Sequence, residues 1–285
     1  MKTLTIGPFQ AKIEVYKDNL KEHFLNILVC VKQVPGSNNV QIDPVNGTLI
    51  RTKDNNKLNP YDLFSIETAL LLKDKYGGKV FTLTMGPPQA KIAIEESISM
   101  GCDYGFVVSD RAFAGSDVLS TSYALSQAIN KCGDYDIILC GKQTTDGDTA
   151  QVGVEIAEHL DLPSLTNVVS FKGKDSGCIL VDCNQGNLFI TEEIKLPCVI
   201  CLDDGINTPR LPSYKRMKTP MDVKFFSIKD MEDQDKEHYG LDGSATQVEK
   251  IFPPEKKTDR IIFEGNSLEL SSKIYDLLID KKSLI

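Results

Sequence analysis

The sequence predicts a doubly wound α/β fold with a mostly parallel central sheet, and three observations support this class. Strand-like and helix-like runs alternate from Leu25 to about residue 160. The first run, residues 25–34, is an almost continuous stretch of apolar and β-branched residues, which is typical of a strand buried on both faces of a parallel sheet. Polar turns that contain glycine follow several of the strands. This alternation places helices on both faces of a parallel sheet.

The first helix is predicted to begin at Pro60. Proline suits the first helical position, where its missing N–H costs nothing, and Asn59 suits the N-cap before it. Gly77 follows the last apolar position and is expected to end the helix. Four apolar residues are predicted to form the buried face of this helix: Leu63, Ile66, Leu70 and Leu71.

The next elements continue the alternation of strand and helix. A Gly-Pro-Pro turn that begins at Gly86 ends the second strand, and Gly101 ends the second helix. Ser116 is predicted to cap the third helix. The predicted bounds are 79–85 for the second strand, 89–100 for the second helix, 104–110 for the third strand, 114–132 for the third helix and 135–141 for the fourth strand.

Short strands replace this alternation after Pro163. Turn signals such as Asn-Gln-Gly separate them, and they predict a mixed or antiparallel extension of the sheet. From Asp203 onward the chain is polar and punctuated by proline, and only residues 266–279 have the pattern of a closing helix. We therefore predict three parts, namely an N-terminal extension (1–24), an α/β domain (25–210) and a C-terminal arm that wraps a partner subunit (211–285).

Composition and charge exclude several classes of function. The 285 residues carry a net charge of −8 and no basic stripe, so nucleic acid and anionic membranes are poor partners. No apolar run approaches the roughly 20 residues of a membrane helix, and no membrane insertion is expected. The eight cysteines lie mostly in or beside strand-like runs, which favours buried thiols in a reducing cytoplasm. Cys198 and Cys201 have CxxC spacing, but no second pair has zinc spacing, so no metal site is predicted.

Residues 141–153, GKQTTDGDTAQVG, are the strongest candidate for a binding site. Ligands of doubly wound sheets bind outside the carboxyl ends of the strands, where this loop follows the fourth strand. Its glycines let the backbone approach a ligand and turn N–H groups toward an anion. Residues 149–153 are predicted to form the first helical turn, whose free N–H groups suit a pyrophosphate. The loop thus favours a nucleotide or dinucleotide.

A second interpretation of this loop stays open. Residues 141–153 would then be only a polar connection from strand to helix, with Asp148 as the N-cap. No GxGxxG follows the first strand and no GxxxxGK[ST] occurs, so neither a dinucleotide-binding fingerprint nor a P-loop is present. The sequence shows no Ser/His/Asp or Cys/His constellation. No catalytic side chain is therefore predicted, and any reaction is expected to proceed on a bound cofactor.

Five separated motifs resemble the beta subunit of electron transfer flavoproteins, in order and in spacing. They are NILVCVKQVP, LNPYDLFSIETALLLK, MGPPQAKIAIEESISMGCD, CGKQTTDGDTAQVG and LPCVICLDDGINTPRLPSYKRMK. The resemblance runs from about Leu25 to the C-terminus. It implies a Rossmann-like, adenine-nucleotide-binding fold and a heterodimer with an alpha subunit that carries FAD in its C-terminal domain.

The resemblance implies one of two nucleotides in the beta subunit. The electron-bifurcating type holds a second FAD, which accepts a hydride from NADH and passes one electron to ferredoxin and one, through the alpha-subunit FAD, to a partner dehydrogenase. The non-bifurcating type holds a structural AMP instead. The stretches DGDTAQVG and AGSDVLSTS resemble the bifurcating type, and the small residues Gly147 and Ala150 would leave room for a complete flavin nucleotide. FAD with NAD is therefore the preferred expectation, and AMP is the alternative.

The nucleotide contacts of the family, carried over position by position, give the predicted binding residues. They are Cys30, Asn59, Pro60, Tyr61, Asp62, Met85, Gly86, Gly115, Ser116, Asp117, Gly141, Lys142, Gln143, Thr144, Thr145, Asp146, Gly147, Asp148, Thr149, Ala150, Gln151 and Val152. Gly86 is expected nearer to the NAD site than to FAD. Ile206, in INTPRLPSY, matches the apolar anchor of the loop that docks onto a dehydrogenase. That dehydrogenase or reductase would be of the acyl-CoA, enoyl-CoA or lactate type.

Overall fold

The computed structural model describes residues 24–36, 41–42, 49–50, 56–249 and 262–280. The strands are β1 (Leu25–Cys30), β2 (Gln33–Pro35), β3 (Gln41–Ile42), β4 (Leu49–Ile50), β5 (Asn56–Leu58), β6 (Gly78–Met85), β7 (Tyr104–Val108), β8 (Ile137–Gly141), β9 (Ser164–Asp175), β10 (Cys178–Asn184), β11 (Phe189–Lys195), β12 (Cys198–Leu202) and β13 (Val223–Phe226). The α-helices are α1 (Pro60–Tyr76), α2 (Lys91–Met100), α3 (Val118–Cys132), α4 (Val152–His159), α5 (Tyr214–Met217) and α6 (Ser267–Asp280).

Nine of these strands form one sheet, in the order β11-β10-β9-β12-β8-β1-β6-β7-β13. Every neighbouring pair from β9 to β13 is parallel, whereas β10 is antiparallel to both β9 and β11. The chain begins the sheet at β1, moves outward through β6 and β7, and then crosses to β8 on the other side of β1. The predicted doubly wound, mostly parallel sheet with an antiparallel extension is confirmed.

The helices bury the sheet from both sides. Apolar residues of α1 and α2, including Ile66 and Ile94, pack with one set of sheet residues into a first core cluster. Those of α3 and α4, including Leu125 and Ile156, pack with the opposite set into a second cluster. Helices on both faces explain why the central strands read as continuous apolar runs.

The predicted buried face of α1 is partly wrong. Ile66 and Leu70 are buried, but Leu71 is 48% exposed. Each helical residue turns the side chain by about 100°, so a step of five residues puts Leu71 about 140° away from Ile66. Leu71 therefore lies outside the stripe that faces the sheet.

The larger boundary differences from the prediction concern the first strand and the start of the third helix. The first strand, expected over 25–34, ends at Cys30, and Gln33–Pro35 instead pairs with β5 in a separate antiparallel ribbon. The N-cap of α3 is Asp117 and not Ser116, because the Asp117 carboxylate accepts a hydrogen bond of 3.1 Å from the Ser120 N–H. The Ser116 hydroxyl donates to the Phe113 carbonyl at 2.8 Å instead.

Residues after 210 include elements that the sequence did not reveal. β13 pairs in parallel with β7 and extends the sheet, and Tyr239 is fully buried in the second cluster. The closing helix predicted over 266–279 is confirmed as α6, none of whose residues is buried. The N-terminal extension, residues 1–24, lies outside the described residues except for Phe24. The division at residue 210 stays a prediction.

Within the described part of the chain, no helix combines the length and the hydropathy needed to cross a bilayer. The CxxC pair lies in β12, where Cys198 belongs to the first core cluster and Cys201 to the second. Since the two thiols point to opposite faces of the sheet, they do not form one chelating pair. No group of three potential metal ligands occurs among the described residues.

Candidate functional site

The strand order reverses beside β1, and this switch point defines the candidate site. The carboxyl ends of β1 and β8 are neighbours, with Cys30 paired to Cys140. β6 lies on the other side of β1 and ends at Met85. Ligands of open α/β sheets bind in the crevice outside such a reversal. The structure therefore brings the ends of β1, β6 and β8 to one edge of the sheet.

The loop between β8 and α4, residues 142–151, is here called the switch-point loop. Residues 145–151 are all exposed. Asp148 and Ala150 have left-handed backbone angles, with φ of 58° and 55°, a region that non-glycine residues adopt rarely. The Asp148 N–H donates to the Thr144 carbonyl at 2.9 Å and closes a turn inside the loop. The loop is thus a folded, outward-facing turn.

The predicted helix start in this loop is wrong. α4 begins at Val152, with Gln151 at the N-cap and no capping bond from its side chain. Residues 149–151 lie before the helix because the left-handed Ala150 interrupts helical geometry. Asp148 is not the N-cap either, whereas the interpretation of the loop as only a polar connection from strand to helix stays an untested alternative. The first helical bond runs from the Glu155 N–H to the Gln151 carbonyl, so the N–H groups of residues 152–154 lie outside the helical ladder.

Asn59 fixes the switch-point loop through two hydrogen bonds to its backbone. Its side-chain Nδ2 donates to the Gln143 carbonyl at 2.9 Å, and its Oδ1 accepts from the Thr145 N–H at 3.3 Å. The residue is fully buried and makes no side-chain capping bond to α1. The amide expected to cap the helix therefore joins the start of α1 to the loop instead.

Asp62 completes this junction. Its Oδ1 accepts from Asn59 Nδ2 at 2.9 Å, and its Oδ2 accepts from the Lys32 N–H, just beyond β1, at 2.7 Å. Burial raises the pKa of Asp62 to about 7, although both hydrogen bonds and the Lys32 charge act in the opposite direction. The carboxyl group thus joins the end of β1 to α1 and, through Asn59, to the switch-point loop.

Two ion pairs fix the loop further. Lys32 Nζ lies 2.9 Å from Asp146 Oδ1, and Lys142 Nζ lies 2.7 Å from Asp203 Oδ1 at the end of β12. Burial alone would raise the pKa of Asp146, but the hydrogen bond and charge of Lys32 outweigh it and the pKa is lowered. Neither Lys32 nor Asp203 is among the binding residues predicted from the sequence. Two sequence signals could have identified them, namely a lysine shortly after one buried strand and an acidic residue after another.

Close backbone contact occurs at Gly141. A Cβ on this residue would lie 2.6 Å from Asp62 Oδ1 and 2.9 Å from the Tyr61 carbonyl carbon. These separations are below van der Waals contact, so only glycine lets β8 end against the first turn of α1. Pro60 occupies that first turn, and the Tyr61 hydroxyl lies 3.4 Å from Gln143 Nε2. The four predicted residues 59–62 therefore lie directly against the predicted loop.

The remaining predicted residues lie at two further turns. Met85 is half-buried against the second core cluster, and the Gly86 N–H donates to the Val108 carbonyl at 3.0 Å. Asp117, which follows Gly115 and Ser116, accepts hydrogen bonds from both the N–H and the hydroxyl of Thr246, at 2.8 and 2.9 Å. The Asp117 carboxylate thus binds Thr246, a residue of the C-terminal part of the chain.

The N-terminal parts of α3 and α4 are neighbours. The Ser122 hydroxyl in α3 donates to Glu155 Oε2 in α4 at 3.0 Å. Asp117 caps the first of these helices, and the switch-point loop leads into the second. The turn at residues 115–117 therefore lies on the same edge of the sheet as the loop.

The residues that follow β12 form a second candidate surface. Ile206 is half-buried and packs against the first core cluster. Leu211, five residues later, is 88% exposed, followed by Tyr214 at 71% and Met217 at 59%. We call residues 206–218 the docking segment. Its outward apolar side chains are Leu211, Tyr214 and Met217, and not Ile206.

The sequence is similar to a known protein family and to several of its members. The model of the electron transfer flavoprotein domain family matches residues 46–227. The chain is 40% identical over 257 residues to the electron transfer flavoprotein subunit beta of Thermoanaerobacterium thermosaccharolyticum, an alignment that covers 89% of this chain and 98% of that protein. The corresponding subunit of Clostridium acetobutylicum is 42% identical over 235 residues, covering 82% of this chain and 90% of that protein.

A third relative is named as part of a reductase complex. The caffeyl-CoA reductase-Etf complex subunit CarD of Acetobacterium woodii is 38% identical over 263 residues, covering 90% of this chain and 99% of that protein. Relatives thus align with this chain over almost their whole length. With the sheet, the switch-point loop and the family match in agreement, the chain belongs to the family of electron transfer flavoprotein beta subunits.

Proposed function

We propose that the chain is the beta subunit of an electron-bifurcating flavoprotein and that its switch-point loop binds FAD. The chief support is the loop itself, which is exposed, turns left-handed at Asp148 and Ala150, and lies in the crevice beside β1. Turns of this kind direct backbone N–H groups toward an anion. Bound there, FAD would supply hydride acceptance from NADH and one-electron transfer to ferredoxin and to the alpha-subunit FAD.

The residues of this chain would bind and orient the flavin. The N–H groups of residues 152–154, at the start of α4, suit the diphosphate. Gly141 lets β8 pack against the first turn of α1 at the floor of the crevice. Gly147 and Ala150 add little volume above it. The hydride-transfer step would need no side chain as acid or base, because hydrogen and both electrons move together.

The alternative is a non-bifurcating subunit with structural AMP in the same crevice. AMP needs an anion site and an adenine site but no room for a flavin ring. The loop features that bind phosphate serve both nucleotides equally. The choice between them therefore depends on the space beside residues 147 and 150.

Cofactor content of the co-expressed heterodimer tests the proposal. We expect two FAD and no AMP for each heterodimer, and we expect NADH to bleach the flavin absorbance. One FAD with one AMP, and no response to NADH, would establish the alternative instead.

A loop variant gives a sharper test with a matched control. Ala150→Asn adds volume at a left-handed position that asparagine tolerates better than alanine, so we expect the fold to be as stable as before. The variant should nevertheless lose the second FAD. Gly173→Ala, where nothing lies within 4 Å of the added methyl group, should retain both. Retention of both flavins by Ala150→Asn would count against a flavin beside this residue.

The proposed partners follow from the family. An alpha subunit would pair with the chain, and the docking segment would bind a dehydrogenase or reductase of the acyl-CoA, enoyl-CoA or lactate type. Leu211 is the proposed anchor because it is the most exposed apolar side chain of the segment. We place the protein in the cytoplasm, since all eight cysteines are free thiols.

A further inference from the structure

The docking segment is mostly irregular, yet side-chain bonds fix it to two helices. Asn207 Nδ2 donates to the Phe64 carbonyl at 2.9 Å and to the Thr68 hydroxyl at 2.8 Å, both in α1. On the other side of Leu211, the Ser213 N–H donates to the Ser99 carbonyl of α2 at 2.8 Å. A surface segment with this many bonds is less mobile than loops usually are.

Arg210, the residue before Leu211, makes the densest of these contacts. Its Nε and Nη2 donate to the two carboxylate oxygens of Glu67 in α1, at 2.8 and 3.0 Å. Its own backbone N–H donates to Glu67 Oε2 at 2.9 Å. Nη2 also reaches Asp74 Oδ2 at 3.0 Å. Both the side chain and the backbone of Arg210 are thus fixed to one helix.

Glu67 is buried, so this pair differs from an ordinary surface ion pair. A buried carboxylate needs a partner that satisfies both oxygens, and the planar guanidinium fits it with two parallel bonds. Lysine offers a single ammonium and cannot reproduce this geometry. The position therefore requires arginine.

The flanking residues restrict the backbone in the same place. Leu211 lies in the stretch Pro209-Arg210-Leu211-Pro212, where each proline fixes its own φ and limits the residue before it. The Leu211 side chain points outward, and its neighbours in the chain are Arg210, with its bidentate contact to Glu67, and Pro212. Ordering a loop on binding costs affinity, and a loop that is already ordered avoids that cost.

We infer that Arg210 is a positioning residue for partner docking, which holds Leu211 in its binding conformation through the bidentate contact with Glu67. This inference rests on the proposed docking role of the segment. It makes Glu67 necessary for docking, although this residue lies in α1 and outside the docking segment.

The test compares Arg210→Lys with Arg111→Lys, an exposed arginine far along the chain, in the co-expressed heterodimer. Electron transfer to an acyl-CoA dehydrogenase is followed as a function of dehydrogenase concentration. We expect Arg210→Lys to raise the apparent KM for the dehydrogenase about tenfold, the equivalent of about 1.4 kcal/mol. The limiting rate and the flavin content should not change, and Arg111→Lys should resemble wild type.

Hydrogen exchange and a double-mutant cycle separate positioning from a general loss of structure. In Arg210→Lys, amides of residues 211–218 should exchange faster while those of the sheet do not. Leu211→Ala should raise KM alone and add little to Arg210→Lys, because both changes act through one contact. If Arg210→Lys misfolds, the pair Glu67→Leu with Arg210→Met keeps the buried volume without the ion pair and should show the same rise in KM.

The possible outcomes separate a failure of the positioning role from a failure of the proposed docking role. Wild-type KM and wild-type exchange in Arg210→Lys would overturn the positioning role while docking stands. A wild-type heterodimer that transfers no electrons to acyl-CoA, enoyl-CoA or lactate enzymes would overturn the docking proposal, and the inference with it.

Discussion

At the scale of single residues, Asp62 shows how the candidate site depends on a buried carboxyl group. The carboxyl group accepts from Asn59 and from the backbone of Lys32, and it lies against Gly141. Burial raises its pKa from 3.8 to about 7. The same group that organises the site therefore opposes folding once it is ionised.

This shift predicts a pH dependence of stability. Between pH 4 and pH 7, the folded chain retains the Asp62 proton that the unfolded chain has already lost. The free energy of unfolding should therefore fall as the pH rises through this range, by at most about 4 kcal/mol from this group. Urea unfolding at several pH values measures the slope.

Asp62→Asn supplies the control for this measurement. The amide keeps an acceptor for the Lys32 N–H but cannot ionise, so its slope should be smaller. His238, whose pKa is raised by its hydrogen bond with Asp233, also loses stabilisation as the pH rises. This contribution is common to both proteins and cancels in their difference. Equal slopes in the two proteins would show that Asp62 is not buried in a protonated form.

At the scale of elements, two glycines set how closely helices approach strands. Gly141 lets β8 end against α1, and Gly153 lets α4 pack onto the thiols of Cys140 and Cys201. Both glycines flank the switch-point loop. The position of the loop is therefore determined by backbone contacts on either side of it.

Gly141→Ala tests the first of these contacts. The added methyl group would overlap Asp62 and the Tyr61 backbone, so we expect a loss of about 1–3 kcal/mol in the free energy of unfolding. Nucleotide content should fall together with stability. Gly173→Ala is the matched control and should stay within about 0.5 kcal/mol of wild type. A Gly141→Ala protein with an unchanged urea midpoint would mean that β8 and α1 are further apart.

The sequence predicted elements better than it predicted contacts. Periodicity identified the central strands, α1 to α3 and α6, because burial on both faces leaves a visible apolar pattern. The left-handed Ala150 left no such pattern, and the start of α4 was misplaced. Whether a lone apolar residue such as Ile206 or Leu211 points inward depends on tertiary packing. Likewise, asparagine is a residue type that often caps helices, but the Asn59 side chain bonds instead to Gln143 and Thr145, more than 80 residues away in the chain.

At the scale of the whole molecule, the sheet and α6 differ in how they are stabilised. The sheet is buried between two layers of helices. α6 carries apolar residues such as Ile274 and Leu278, yet none of its residues is buried against the chain. An amphipathic helix of this kind gains most of its stability from packing. We therefore expect α6 to pack against the proposed alpha subunit.

Truncation after Glu249 tests this division of roles. Without α6, the free energy of unfolding of the lone chain should change by less than about 0.5 kcal/mol, because none of the described residues that are removed, 262–280, is buried. Co-purification with the alpha subunit should be lost or strongly reduced. Truncation after Asp280, which keeps the helix, is the control and should pair normally. Normal pairing without α6 would place the subunit contact elsewhere on the molecule.

Asp203 directly follows β12 and pairs with Lys142 of the switch-point loop, and only Asp204 and Gly205 separate it from the docking segment. The proposed cofactor crevice and the proposed macromolecular interface are thus consecutive stretches of one polypeptide. Arg210 and Ser213 are bonded to Glu67 and Ser99, farther along α1 and α2, so the docking segment leads from the crevice toward the opposite edge of the sheet. Under the proposed function, an enzyme on Leu211 would then receive its electrons through the alpha-subunit FAD and not directly from the crevice.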